Sequence, residues 1–232
     1  MTSFEAFFEG WLVRQEHYLD ELQSAQQRAH EARDVDLRDL VSRVLLHYRQ
    51  YYEEKSRLAQ RDVFLVFSPT WFTSLERALL WIAGFKPGLA FRLVSDSVPD
   101  LSEDQRVRMT RLMEETRVEE RALDDKLAKI HESVAAPPLV DVARRHARCL
   151  DGETAEEEEA ATRSLKSALE GVVANANLLR VTIATKLVEM LSGAQAVRFL
   201  VAVAQFQLKI RNWGLERDAA EKQRRSGGGG RW

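Results

Sequence analysis

Cysteine is almost absent from this chain of 232 residues: Cys149 is the only one. An internal disulfide is therefore excluded, and a reducing compartment is expected. Arg144, Arg145 and Arg148 precede Cys149, but no orienting base adjoins it, as a nucleophile would need. An excess of one charge is also lacking. Lys and Arg number 34 against 36 Asp and Glu, for a net charge of −2, which gives no sign of a surface for nucleic acid. Long apolar runs are missing as well. Phe199 to Ala204, between Arg198 and Gln205, is among the longest and is far too short to cross a bilayer. Met1-Thr-Ser-Phe-Glu5 has neither the basic start nor the apolar run of a signal peptide. We expect no membrane association and a place in the nucleus, the cytoplasm or both.

Signs of catalysis are equally scarce. The five histidines, His17, His30, His47, His131 and His146, are scattered, with no His-Glu-x-x-His or Cys-x-x-Cys spacing for a metal. No Gly-x-Ser-x-Gly, phosphate loop or dinucleotide fingerprint occurs. Glu53-Glu54, Glu114-Glu115 and Glu119-Glu120 are adjacent pairs on helices, and neighbours there point about a third of a turn apart. They make no acid–base dyad. We therefore expect no enzyme, no catalytic residue, no metal and no cofactor.

What the chain has is helical patterning. Hydrophobic residues make up 45% and charged residues 30%, enough for a sizeable core. Phe4, Phe8, Trp11, Leu12, Gln15, Tyr18, Leu19 and Leu22 share one side of a first helix, from a Thr2 or Ser3 cap to about Arg33. Asp34 is the expected cap of a second, which carries Leu37, Leu40, Val41, Val44, Leu45, Tyr48 and Tyr52 to about Ala59. A short helix is expected from Pro87 to about Ser95. Ser102-Glu-Asp-Gln105 is a capping box opening a long helix with Val107, Leu112, Met113, Thr116, Leu123, Leu127, Ile130 and Val134 inside. Pro137-Pro138 should stop it. A short helix over 139–149, a third capping box at Thr154-Ala-Glu-Glu157 and a helix to Leu191 follow. The acidic run Glu156 to Glu159 suits the positive end of that helix as a solvated first turn. Ser192-Gly-Ala-Gln195 starts the last helix, with Val197, Leu200, Val201, Ala204, Leu208 and Trp213. No strand is expected: Val63 to Phe67 has β-propensity but no run to pair with.

The densest stretch is Asp62 to Pro87. Trp71 and Trp81 lie in it with Phe64, Phe67, Phe72 and Phe85. Ser68-Pro69 breaks what precedes. Thr73-Ser-Leu-Glu76 is a capping box. Leu75, Ala78, Leu79 and Ile82 form an apolar face, and Gly84 suits the left-handed position that ends a helix, with Pro87 beyond. The aromatics Trp71, Phe72, Trp81 and Phe85 read either as core or as the wall of a pocket for an apolar ligand.

Asp62-Val63, Ser68-Pro-Thr-Trp71, Glu76 and Trp81-Ile-Ala-Gly-Phe-Lys-Pro87 together resemble the Delay of Germination (DOG) domain of plants, shared with the C-terminal half of TGA transcription factors. Further matches lie at Phe8…Trp11, His47-Tyr48…Lys55, Leu101-Ser102…Gln105, Glu132-Ser-Val-Ala135 and Trp213-Gly214…Arg217-Asp218. The resemblance spans residues 4–218 and leaves 219–232 as a flexible polar, Gly-rich tail. From the helical patterning we expect an all-α, up-and-down bundle of about eight helices, several long, with a short buried helix after an aromatic loop. The resemblance implies a non-enzymatic plant regulator of seed dormancy, abscisic acid signalling and transcription, acting through protein–protein contacts. The partner it implies is a type-two-C protein phosphatase or a transcription factor, with homodimerisation open.

Phe7, Phe8, Trp11 and Gln15 resemble the family's N-terminal aromatic motif and are the candidate partner contact; packing in the chain's own core is the other reading. For Trp71, Phe72, Trp81 and Phe85 the resemblance makes the ligand an acyl-type chain. Haem is the other cofactor the resemblance raises, since some relatives carry a His-x-x-x-His pair before Trp-Gly where axial ligation is possible; it is not expected here, because Gln207 and Arg211 stand in those places. TGA factors carry a basic zipper ahead of this domain. Here Phe4 already belongs to it, so direct DNA binding is not expected. A small-molecule sensor and a DNA-binding regulator remain the alternatives.

Overall fold

The computed structural model describes residues 3–134 and 153–227. They hold eight helices: α1 (Ser3–Gln27), α2 (Asp34–Arg61), α3 (Val63–Phe67), α4 (Ser74–Ala78), α5 (Leu89–Ser97), α6 (Glu103–Val134), α7 (Glu153–Met190) and α8 (Gly193–Gly227). The all-α bundle is as expected, and no strand occurs among the described residues beyond a single bridge between Trp81 and Gly84. The Pro137-Pro138 stop, the helix over 139–149, Cys149, His146 and the side chains of the Thr154–Glu157 box lie outside the described residues.

α1 ends at Gln27, short of Arg33, because Arg28 to Arg33 offers only alanines to bury and helices live on their packed face. Asp34 does not cap α2. Arg33 holds the cap position without a side-chain bond, and the Asp34 carboxylate instead accepts the N–H of Gly193 (2.9 Å) at the start of α8. Val63 to Phe67 is helix: Asp62 accepts the N–H of Leu65 (3.1 Å), and Val63 and Val66 are buried.

α6 runs along α7, burying Leu112, Thr116, Glu120, Leu123 and Ile130. Val107 and Val134, expected inside, are exposed, as they lie off that stripe. Trp213 is half exposed, beneath Lys209. α8 continues to Gly227, so the segment read as a tail begins as helix.

The apolar interior has three parts. The largest joins α1, α2, α5 and the start of α6 to the end of α7 and to α8. A second lies among the end of α2, α3, Ile82, Ala83, α6 and α7. The third is aromatic: Phe4, Phe8, Trp11 and Tyr51, with Phe7, Trp71 and Phe72 packed on it. The loop around α4 and the 81–84 turn sits where these parts meet.

Candidate functional site

The first candidate surface is α1. Trp11 is 0% exposed. Its indole N–H donates to the carbonyl of His47 (3.1 Å), and its ring stacks on the His47 imidazole at 4.5 Å and 4°. Phe8 and Gln15 are buried too, and Phe7 is half-buried. The Gln15 amide donates to the Tyr48 hydroxyl and to Gln207 Oε1 (3.2 Å). The four residues of the N-terminal aromatic motif thus come together, with three facing inward onto α2 and α8. His47 carries the cost. Neither ring nitrogen has a hydrogen-bond partner among the described residues. Burial, with the charge of Arg14 adding to it, pushes its pKa down to about 4.

Arg211 binds the aromatic loop to α8. Its guanidinium donates to the carbonyl of Trp71 (3.3 Å) and to the Glu76 carboxylate (3.2 Å), and lies 5.1 Å from the centre of the Phe8 ring. Glu76 also closes the Thr73 capping box, accepting the Thr73 N–H at 2.8 Å. It is the buried residue of α4. The apolar face expected there does not form, since α4 stops at Ala78, and Ala78 and Leu79 are exposed. The two positions considered for haem are occupied by Gln207, bonded to Gln15, and Arg211, bonded to Glu76. Neither offers an imidazole. No group of three or more His, Cys, Asp or Glu among the described residues is placed to hold a metal.

The turn after α4 departs furthest from expectation. Ile82 and Ala83, not Gly84, take positive φ, 41° and 59°. Non-glycine residues there are strained. Trp81 and Gly84 close the turn with paired backbone bonds of 2.7 and 3.1 Å. Two buried basic side chains then hold its carbonyls. Arg180 of α7 donates to the oxygens of Trp81 (2.6 Å), Ile82 (2.9 Å) and Phe85 (2.8 Å), and Lys55 of α2 to that of Ala83 (2.6 Å). A side chain at position 84 would meet the Arg180 guanidinium at 2.9 Å, so Gly84 is needed for close approach. Burial pulls the pKa of both Lys55 and Arg180 downward.

Beside this turn lies a cavity of about 180 Å³ between α2, α5, α7 and α8. Phe72 and Phe85 line it. Trp71 and Trp81 stand outside its lining. Trp71 packs on Phe4 (4.7 Å). Trp81 donates to Asp124 (2.6 Å) and lies under Lys86 and Arg180. Sequence reasoning missed Tyr51, Tyr52, Phe206 and Arg180 as lining residues, and gave Lys55 no site role. For Lys55 there was a signal. It continues the buried register Val44, His47, Tyr51 and Ala59 of α2, where a lysine has no reason to be unless it meets something.

With this geometry in hand, likeness to known proteins becomes informative. Residues 18–96 match the DOG1 family, described as "Seed dormancy control". Protein RESPONSE TO ABA AND SALT 1 of Arabidopsis thaliana is 37% identical over 223 residues, 93% of this chain and 96% of that protein. Protein ZW2 of the same plant is 36% identical, over 92% of this chain and 96% of its own length. Transcription factor TGA7, also of Arabidopsis thaliana, is 29% identical over 91% of this chain, which spans 55% of that factor. An aromatic-clasped helical bundle matched to two such relatives over more than nine-tenths of each chain belongs to the DOG1 family of seed dormancy control.

Proposed function

We propose that this protein is a non-enzymatic plant regulator that works by binding other proteins in abscisic acid signalling or in transcriptional control, in the nucleus or cytoplasm. The observation that carries this is the likeness, over nearly all of both chains, to a relative named for its response to abscisic acid and salt. Residues 4–218 form the acting domain. The contact element we assign is α1. Phe8, Trp11 and Gln15 are buried at home, so the partner meets Phe7 and the outer side of the helix, where Val13 is 67% exposed. The inner three hold that side in register. The partner class is a type-two-C protein phosphatase or a transcription factor. A pull-down of purified candidates tests this: Val13→Asp with Phe7→Ala should lose the partner while the circular dichroism spectrum is unchanged. Full retention would remove α1 as the contact.

The cavity favours a second reading, a sensor of a small apolar ligand of acyl type. Arg49, Lys86 and Arg180 line it against a single acid, Glu76, which is already paired with Arg211. That balance suits an acidic head on an apolar body. A cavity of about 150 Å³ accepts benzene, so this one suits a chain of roughly six carbons. Hexanoate should raise the melting temperature more than acetate does; equal shifts would count against the reading.

A further inference from the structure

Lys55 has a setting the regulatory function does not use. It is 1% exposed, lines the cavity and forms no ion pair among the described residues. Its Nζ donates to Ala83 O and lies 5.5 and 5.3 Å from the ring centres of Tyr51 and Tyr52. Arg180, also buried, holds the adjacent carbonyls of the same turn, and its positive charge adds to burial in disfavouring the charged form of Lys55. A lysine desolvated next to a second cation loses its proton readily and becomes a nucleophilic amine. The free amine keeps a lone pair, which the bond to Ala83 does not consume.

We propose that Lys55 captures a small apolar aldehyde in the cavity as a Schiff base. The inference rests on the cavity being a ligand site and adds the chemistry of the ligand. The Nζ lone pair attacks the carbonyl carbon, and the carbonyl π pair moves to oxygen, which takes a proton from the nitrogen. The resulting carbinolamine loses its hydroxyl as water while the second amine proton leaves, and the C=N bond forms. Amine and aldehyde thus give imine and water, with no oxidant or reductant. Phe72, Phe85, Phe206 and Leu93 on the wall supply the apolar contact and limit the water that would reverse the step. The volume, a little above that of a benzene-sized cavity, selects an aldehyde of roughly six carbons.

The test uses the full chain, hexanal and cyanoborohydride at a pH near neutrality. Surface lysines, with pKa about 10.4, are then almost wholly protonated. Intact mass and peptide mapping should show a single reduced hexyl adduct, at Lys55. Lys55→Met should abolish it. Because that variant also releases Ala83, Val203→Phe is the second variant: it fills the cavity, leaves Lys55 in place and should cut the adduct at least about tenfold with an unchanged circular dichroism spectrum. Hexanol, which cannot form an imine, reports occupancy by thermal shift. Hexyl groups spread over surface lysines with none at Lys55 overturn the proposal. If hexanol still raises the melting temperature, the cavity reading survives that failure; if it does not, both fall.

Discussion

Gln105 and Gln195 hold one another across the junction of α6 and α8. Each is the third residue of its helix and closes its own capping box, with Ser102 and Ser192. Each side-chain amide then donates to the other's oxygen, at 2.7 and 3.3 Å. Gln105 also reaches the carbonyl of Met190 and Gln195 that of Asp100. Two local capping motifs thus become one tertiary lock. Gln105→Ala and Gln195→Ala should each cost about 1–2 kcal/mol. The double variant should cost less than the sum by at least about 0.5 kcal/mol in urea unfolding. Strict additivity would show the two boxes to be independent.

His47 should make stability depend on pH. Its pKa is about 4 when folded against about 6.5 unfolded. Between these values the unfolded chain binds a proton that the folded one does not, so stability rises with pH across the window. It is lost as pH falls from about 6.5 toward 4, at about 1.4 kcal/mol per unit. His47→Phe, which keeps a ring on Trp11, should flatten the slope of the urea midpoint between pH 4.5 and 7. An unchanged slope would place the effect elsewhere.

The two sides of α1 should behave oppositely. Trp11→Ala empties a fully buried, stacked site and should cost about 3–5 kcal/mol. Val13→Ala, on the exposed side, should stay within about 0.5 kcal/mol. Thermal melts of both variants check this.

Arg211→Ala leaves the Glu76 carboxylate buried without its cation, and should cost about 3 kcal/mol. Glu76→Ala loses the capping box as well as the pair, so it should exceed the roughly 1 kcal/mol expected of a cap alone. The double variant should recover part of the loss. Urea titrations of the three variants decide it.

Two helical glycines should respond with opposite sign. At Gly214 of α8 a Cβ would overlap the Thr73 side chain, so Gly214→Ala must push α4 and α8 apart. A loss of at least about 2 kcal/mol is expected. At Gly171 of α7 a Cβ meets nothing within 4 Å, so Gly171→Ala should stabilise by up to about 1 kcal/mol. Equal effects in melting temperature would refute the close approach at Gly214.

The sequence alone determined what depends on neighbours along the chain. The all-α class follows from apolar spacing. The boxes at Ser102–Gln105, Thr73–Glu76 and Ser192–Gln195 are each complete within four residues, so they stand where the sequence puts them. The tertiary structure decided what depends on distant groups converging. Trp11 is core rather than surface because α2 brings His47 over its ring, and an amphipathic pattern does not say who covers it. Asp34 caps α8 because that helix start comes to rest beside it. The 81–84 turn places positive φ on Ile82 and Ala83, since the carbonyls of Trp81, Ile82 and Ala83, with that of Phe85 just beyond, are held by Arg180 and Lys55 from separate helices. Both side chains line the cavity, and nothing near either one in sequence points to the other. Local hydrogen bonds and helical periodicity are short-range. A buried charge is explained by what surrounds it, and only the folded chain brings those surroundings together.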